Sequence, residues 1–230
     1  MKTVLSHREG PLSYRQGRVR ALFLGQDAAF DADLEQALQN AARSVGFVAP
    51  KRVASVRQVH SDRVVEASTS SRPEADGLVT RETDLALAVV TADCVPVLLA
   101  GPEAVAAVHA GWRGLATEIL RSVVKHELAP RVGFSTAWIG PCMAACCYEV
   151  GGEVASAVAR ASGGRVVHEK RGSERPHLAL ESAAHEQLLA LGLEDVRVTR
   201  TCTGCRSEWW SYRRLGAKAG RNLSFVWRVG

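Results

Sequence analysis

Three short segments of the sequence carry side chains that bind transition metals. They are QVH ending at His60, TADC ending at Cys94 and HAGWRG beginning at His109. Neutral imidazole and thiolate are favoured zinc ligands, and three protein ligands leave the fourth position of a tetrahedral site open. Zinc with an open position lowers the pKa of a bound water to about 7 and so supplies hydroxide at neutral pH. These residue types are therefore compatible with a catalytic zinc centre.

The spacing of the three residues is weaker support than their types. The separations along the chain are long and irregular, and they match no zinc-finger pattern. Cys94 and His109 each lie where an apolar stretch ends, and strand ends beside glycine turns often carry functional side chains. Two strands that form a hairpin need not bring these ends together. A hydrogen-bonded histidine and a packed cysteine therefore remain the alternative.

Two further segments have residue types suited to binding a substrate. Arg113 lies in HAGWRG, directly before a predicted helix, and a helix start together with an arginine attracts phosphate or carboxylate. An exposed loop arginine is the alternative. Tyr212 belongs to the aromatic segment WWSYRR, which either stacks on a flat ring or covers the core.

The other five cysteines fall into two groups. Cys142, Cys146 and Cys147 lie in PCMAACCYE, and Cys202 and Cys205 form a C-x-x-C pair. They are compatible with a second zinc site or a redox pair. The sequence has neither a second C-x-x-C at the usual spacing nor a thioredoxin-like context. We therefore expect most of these cysteines to serve packing and loop structure.

Hydrophobic periodicity predicts a mixed α/β protein. We expect helices at 31–45, 115–128, 150–162 and 180–191, and strands at 21–25, 52–58, 63–67, 77–80, 85–91, 95–100, 104–109, 136–140, 196–200 and 223–229. Because helices and strands do not alternate strictly, we expect layered mixed β-sheets flanked by helices rather than a Rossmann fold or a (β/α)8 barrel. The length of 230 residues without a linker indicates one domain, residues 1–230.

Bulk composition limits the classes of partner. The net charge is +5, but the basic residues are scattered, which disfavours sequence-specific nucleic-acid binding and suits anionic small substrates. No stretch reaches the roughly 18 apolar residues of a membrane span, and the first residues lack the apolar core of a signal peptide. We expect a soluble, cytoplasmic protein with reduced thiols that binds neither nucleic acid nor membrane. We expect a monomer or a weak homodimer.

Seven segments together resemble the YfiH/YlmD-like family, which has been named both a laccase-domain (multicopper polyphenol oxidoreductase) family and a purine nucleoside phosphorylase family. They are HREG, RQVHSDRVV, ADGLVT, TADCVPVLL, AAVHAGWRG, WIGPCMAACCYEVG and WWSYRRLGAKAGR, in family order from His7 to Arg221. The chain departs from the usual pattern where Ser61, instead of glycine, follows the first histidine. The resemblance implies a mixed α/β fold of layered sheets, of the cytotoxic-necrotizing-factor/YfiH-like type.

The resemblance implies a function and a set of site residues. The metal ligands would be His60, Cys94 and His109, with Zn²⁺ as the metal and Cu²⁺ as the other possibility. The reactions would be phosphorolysis of adenosine, inosine, guanosine and methylthioadenosine, and deamination of adenosine, with a purine nucleoside and phosphate as partners. The expected catalytic residues are Cys94, His109, Arg113 and Asp93, and the expected substrate-binding residues are Arg8, Asp76, Arg113 and Tyr212. Within these sets, Arg113 or Arg8 would hold the anion, and Asp93 or Asp76 would transfer the proton.

Other functions remain open. In a metal-free cysteine hydrolase, Cys94 would be the nucleophile and His109 or His60 the base. Editing of peptidoglycan precursors by the same cysteine is a related possibility. Copper-dependent polyphenol oxidation is a third, although multicopper centres need clustered histidines and the 7 histidines here are scattered. A non-enzymatic binding module is the last.

Overall fold

The chain forms two mixed β-sheets covered by helices in the computed structural model, which describes residues 10–26, 33–129, 133–163, 165–170 and 172–230. The strands are β1 (Leu12–Gln16), β2 (Val19–Leu24), β3 (Arg52–Ser55), β4 (Val64–Glu66), β5 (Gly77–Thr80), β6 (Leu85–Thr91), β7 (Val95–Ala100), β8 (Val105–Ala110), β9 (Thr136–Ile139), β10 (Val167–His168), β11 (His177–Leu178), β12 (Asp195–Val198) and β13 (Asn222–Arg228). The helices are α1 (Leu34–Ser44), α2 (Trp112–Ala116), α3 (Ile119–Val124), α4 (Gly152–Ser162), α5 (Leu180–Ala190) and α6 (Tyr212–Leu215).

Each large sheet combines parallel and antiparallel pairs. The five-stranded sheet has the order β1-β2-β13-β6-β3, with only β3 and β6 parallel. The six-stranded sheet has the order β12-β9-β7-β8-β5-β4, with β12 parallel to β9 and β4 parallel to β5. A small ladder joins β10 and β11. The predicted fold class, mixed sheets in layers flanked by helices, is confirmed.

The packing of the two sheets explains why their central strands are apolar on both faces. Alternate residues such as Leu87 of β6 and Leu98 of β7 fill the core between the sheets. Ala86 and Ala88 face the opposite way, in a cluster with the buried face of α1. Leu99 belongs to the cluster formed with α2 to α5. Strands covered on both faces read as continuous hydrophobic runs, as β6, β7 and β8 do here.

The predicted elements are confirmed in kind and shift by a few residues at their ends, with one clear exception. The helix expected at 115–128 is wrong, because α2 and α3 are separate. The break lies at Glu118, whose φ of 59° is left-handed. Thr117 donates its hydroxyl to the carbonyl of Arg113, a local bond that competes with helix continuation. At the first helix, the Asp33 side chain caps α1 by accepting from the N–H of Glu35.

The described helices are all too short or too polar to cross a bilayer.

Candidate metal centre

The pairing of β7 with β8 brings Cys94 and His109 to the same sheet edge. In this antiparallel pair, Pro96 lies opposite His109 and Val95 opposite Ala110. Cys94 directly precedes β7, and His109 is the penultimate residue of β8. Both residues therefore lie at the same end of this strand pair. The register, which sequence reasoning left open, therefore decides their proximity.

His60 reaches the same point from the loop between β3 and β4. The amide of Gln58 anchors this loop to the edge of β6, because Nε2 donates to the Val90 carbonyl at 2.7 Å and Oε1 accepts from the Val90 N–H at 2.8 Å. His60 itself has a φ of 61°, a left-handed conformation that a non-glycine residue adopts only when its surroundings enforce it.

Asp76 supplies that enforcement. It immediately precedes β5, is completely buried, and its carboxylate accepts hydrogen bonds from the backbone N–H groups of Val59 (3.2 Å), His60 (3.0 Å) and Ser61 (2.6 Å). The Ser61 hydroxyl donates a further bond of 2.7 Å. The same carboxylate lies 2.7 Å from Nδ1 of His109. Asp76 thus fixes two of the three candidate ligands at once.

The candidate ligand atoms form one compact group. One atom each from His60, Cys94 and His109 lies within 4.8 Å of the others, and Sγ of Cys94 is 3.8 Å from Nε2 of His60. His109 is buried, Cys94 is half-buried and His60 is exposed, so the group opens to solvent on one side. A thiolate and two imidazoles with an open face fit a transition metal that keeps one position for water or substrate.

Hydrogen bonds and neighbouring charges set the protonation states around the group. Burial raises the pKa of Asp76, but its hydrogen bonds with His109 and Ser61 outweigh burial and hold that pKa well below the usual carboxyl range. Because an ionised carboxylate only accepts, Nδ1 of His109 carries a hydrogen towards Asp76, and Nε2 is the nitrogen that a metal would bind by displacing its proton. Burial opposes ionisation of both Cys94 and His109. Their mutual attraction nevertheless lowers the pKa of Cys94 to about 6, with His60 contributing, and together with Asp76 raises that of His109 to about 9.

Gly111 leaves the space that the three side chains occupy. A Cβ at this position would lie 3.0 Å from Cδ2 of His60 and 3.2 Å from Sγ of Cys94. The first distance is at the limit of real contacts, so any larger residue would displace the candidate ligands. The glycine of HAGWRG therefore has a steric role beside the site.

The other residues that we predicted to be catalytic or substrate-binding do not belong to the group of candidate metal ligands. Asp93 has a φ of 92°, and its carboxylate accepts from the Thr203 hydroxyl and from the N–H of Arg213, both at 2.7 Å. Arg113 is exposed, with its guanidinium 4.5 Å from the ring of Trp112. Tyr212 begins α6 with 58% of its surface exposed. Arg8 lies outside the described residues.

Sequence reasoning assigned no role to Tyr148 and Arg213, yet both lie beside the candidate centre. The pKa of Tyr148 is raised mainly by burial and also by the negative charges of Cys94 and Asp93, while Arg213 and Arg113 oppose the rise. The Arg213 guanidinium lies 5.3 Å from the Tyr148 ring centroid and donates to the Glu149 carbonyl. Both residues occur in segments that carry the family resemblance, but no spacing rule links them to a site.

The other cysteines, which we expected mostly to serve packing and loop structure, differ in burial. Cys142 and Cys202 are buried, whereas Cys146 and Cys205 are exposed and Cys147 is half-buried. The sulfur atoms of Cys146, Cys147, Cys202 and Cys205 lie within 4.8 Å of one another. Within the described residues, this group and the His60–Cys94–His109 group are the two that could hold a metal ion.

Comparison with known families gives a match across nearly the whole chain. Residues 4–229 match the family described as multi-copper polyphenol oxidoreductase laccase. Among curated proteins, a "purine nucleoside phosphorylase" of Streptomyces coelicolor is 38% identical over 195 residues, covering 81% of this chain and 79% of that protein. A protein named adenosine deaminase RL5, from an unknown prokaryotic organism, is 32% identical over 222 residues, covering 90% of this chain and 85% of that protein.

Solved structures share the fold. Neisseria meningitidis protein NMB0706 superposes with a TM-score of 0.80 at 30% sequence identity, covering 96% of this chain and 100% of that one. YlmD from Geobacillus stearothermophilus superposes with a TM-score of 0.78 at 26% identity, covering 93% of both chains. The layered mixed sheets described above are thus shared with both.

Proposed function

The chain belongs to the YfiH-like, laccase-domain family, and on that premise we propose that it is a zinc-dependent purine nucleoside enzyme. Its reactions are phosphorolysis of adenosine, inosine, guanosine and methylthioadenosine, and deamination of adenosine. Relatives named purine nucleoside phosphorylase and adenosine deaminase support the substrate class. The observation that carries the proposal is the solvent-open group of His60, Cys94 and His109, locked in place by the buried carboxylate of Asp76.

The three ligands are His60, Cys94 and the Nε2 atom of His109. Held by these residues, zinc would supply a Lewis acid. One thiolate and two neutral imidazoles suit zinc, and copper can occupy the same ligands. A multicopper oxidase would need more histidines, and within the described residues the group contains two. This ligand count favours zinc chemistry over phenol oxidation.

Asp76 is a positioning residue in this proposal. Its carboxylate is completely buried and accepts from the His60 N–H and from Nδ1 of His109, so it holds these two residues rather than the substrate. This role differs from the substrate contact expected from the sequence. By accepting the hydrogen of Nδ1, Asp76 also makes Nε2 of His109 a stronger ligand for a metal.

The open side of the group has the charges that a nucleoside and phosphate need. The Arg213 guanidinium lies 5.3 Å from the ring of the half-buried Tyr148, and the charges of Arg213 and Arg113 both oppose the rise in the pKa of that tyrosine. Arginine holds phosphate oxygens in pairs, and the phenol ring offers a flat face to a purine. Asp93 is half-exposed beside Cys94 and is our candidate for proton transfer. Arg8 and Tyr212 stay predictions for substrate binding.

Two overall reactions follow. In phosphorolysis the bond between the base and ribose breaks, a phosphate oxygen bonds to the sugar carbon, and the base leaves carrying a proton. In deamination water replaces the amino group of adenosine, which gives inosine and ammonia. For phosphorolysis, the arginines would orient the phosphate.

The test is to incubate zinc-loaded protein with adenosine and phosphate and to separate the products by chromatography. We expect adenine with ribose-1-phosphate, inosine, or both from the wild type and from His185→Ala, which changes a histidine on α5 away from the centre. His60→Ala should give neither. If the wild type yields none of these products, or if His60→Ala matches it, the proposal fails.

A metal-free cysteine hydrolase is the second candidate, and one observation favours it. Cys94, His109 and Asp76 form a chain in which Asp76 orients His109 and His109 stabilises the Cys94 thiolate. Nucleophilic cysteines in hydrolases have the same order of nucleophile, base and orienting group. Activity that survives complete zinc removal but is lost in Cys94→Ser would support this candidate over the first.

A further inference from the structure

Four cysteines outside the nucleoside site converge from two loops. Cys146 and Cys147 belong to the loop after β9, and Cys202 and Cys205 to the loop after β12. Sγ of Cys205 lies 3.4 Å from Sγ of Cys146 and 3.3 Å from that of Cys147. All four sulfur atoms lie within 4.8 Å of one another.

These separations suit one tetrahedral ion. With metal–sulfur bonds of about 2.3 Å, the ligand sulfurs of tetrahedral zinc are about 3.8 Å apart. The two distances from Cys205 are slightly shorter than this value, and all the sulfur pairs lie within 4.8 Å. An iron–sulfur cluster places iron and sulfide between its thiolates and needs a wider arrangement. A disulfide joins only two sulfurs, and Cys205 lies almost equally close to two partners, so the geometry selects no single pair.

The backbone of the two loops is built around the sulfur atoms. The loops pair through a parallel bridge between Cys142 and Cys202, and the N–H of Thr203 donates to the Cys142 carbonyl at 3.0 Å. A Cβ on Gly204 would lie 2.9 Å from Cβ of Cys147 and from Sδ of Met143. Glycine at this position therefore permits the close approach of the loops.

A backbone donor also faces the sulfur of Cys202. The N–H of Ala144, in the loop that carries Cys146 and Cys147, donates to it at 3.4 Å. This contact suits a thiolate, because N–H donors offset the charge that metal-bound sulfur carries. The ammonium of Lys170 donates to the Cys146 carbonyl at 3.0 Å and adds a positive charge nearby.

We propose that Cys146, Cys147, Cys202 and Cys205 bind one structural zinc ion. Four thiolates without an open position are a structural ligand set rather than a catalytic one. The ion ties together two loops that are 55 residues apart at their closest ligands, Cys147 and Cys202. Its binding free energy therefore contributes directly to the folded state of this region.

Thr203 connects the four-cysteine group to the proposed nucleoside site. Thr203 lies inside the C-x-x-C turn, and its hydroxyl donates to Asp93 at 2.7 Å. Asp93 in turn precedes Cys94 and accepts the N–H of Met143 on its own carbonyl. Loss of the structural zinc should therefore loosen Asp93 as well as the two loops.

The experiment counts zinc in the purified chain and its variants. We expect two zinc ions per wild-type chain, one in Cys146→Ser/Cys205→Ser and one in Cys94→Ser/His109→Ala. Cys142→Ala is the matched control, because it removes a cysteine of the same loop that lies outside the group, and it should keep two. An unchanged count in Cys146→Ser/Cys205→Ser, or none in Cys94→Ser/His109→Ala, would overturn the proposal.

A second measurement on the wild type decides the matter even where a variant does not fold. Cys146 and Cys205 are exposed, so without a metal both should be accessible to alkylation. Bound zinc should protect both until a chelator removes it, as mapped by mass spectrometry. Equal alkylation before and after chelation, or a disulfide between any two of the four, would contradict the site. Neither measurement depends on nucleoside turnover.

Discussion

Asp76 and His109 are joined by two hydrogen bonds, one from the side chain and one from the backbone. Oδ1 of Asp76 accepts from Nδ1 of His109 at 2.7 Å, and the Asp76 carbonyl accepts from the His109 N–H at 2.8 Å. The same carboxylate holds the backbone of His60. One buried residue therefore sets the geometry of two candidate ligands on different elements.

The first prediction concerns the loss of that carboxylate. The Asp76 carboxylate accepts from four N–H or O–H donors in addition to His109. In Asp76→Asn, the NH₂ group of the amide cannot accept a hydrogen bond and would face some of these donors. We expect zinc affinity at the His60–Cys94–His109 group to fall about 10- to 100-fold, as for other partners of metal-binding histidines. Competition with a chromogenic chelator measures this, with Asp195→Asn as the surface control. An affinity equal to that of the wild type would refute the positioning role.

The stabilising effect of Asp76 should also depend on pH. Its folded pKa lies below the unfolded value of 3.8, so its contribution is present above pH 3.8 and declines as the pH falls through the folded pKa. We therefore expect zinc-free wild type to be about 3 kcal/mol more stable than Asp76→Asn at neutral pH, with a smaller difference in acid. Urea unfolding over a pH series checks this. A difference that grows on acidification would have the wrong sign.

Gly111 provides a steric prediction. A methyl group in Gly111→Ala would press on His60 and Cys94, at 3.0 and 3.2 Å. Metal sites tolerate displacements of about half an ångström, so we expect zinc affinity to fall about tenfold or more with little loss of folding. Gly152→Ala is the matched control, since a Cβ there meets no atom within 4 Å. Equal affinities in the two variants would show that the space is not needed.

The reactivity of Cys94 provides a pH prediction for the zinc-free protein. Because His109 and His60 lower its pKa from 9.0 to about 6, its thiolate fraction should rise through half near pH 6. Iodoacetamide alkylation of Cys94, followed by mass spectrometry, reports that fraction. The midpoint should move towards 9.0 in His109→Ala and in unfolded protein. A midpoint near 9.0 in the folded wild type would show that the histidines do not stabilise the thiolate.

The sequence was sufficient to predict the central strands but not how their ends meet. The apolar runs of β6, β7 and β8 are long because both faces of each strand are buried. The proximity of Cys94 and His109 comes from the register that places Pro96 opposite His109. Register depends on pairing between strands, which periodicity within one strand does not reveal.

Two other features were hidden from the sequence for physical reasons. Leu115, Ile119 and Val123 keep helical spacing across the break at Glu118, so periodicity predicted one helix where a left-handed residue separates two. The four-cysteine group combines an adjacent pair with a C-x-x-C pair far along the chain. The pairing of the two loops, which includes the bridge between Cys142 and Cys202, brings these pairs together.

The central claim is that a zinc ion held by His60, Cys94 and His109 is required for nucleoside turnover. The most direct measurement is to add zinc to stripped protein and to follow bound zinc and nucleoside products in the same samples. We predict that products appear as the His60–Cys94–His109 site fills, equally in the wild type and His185→Ala, and not in His109→Ala. Full turnover by zinc-free wild type, or by His109→Ala, would contradict the account.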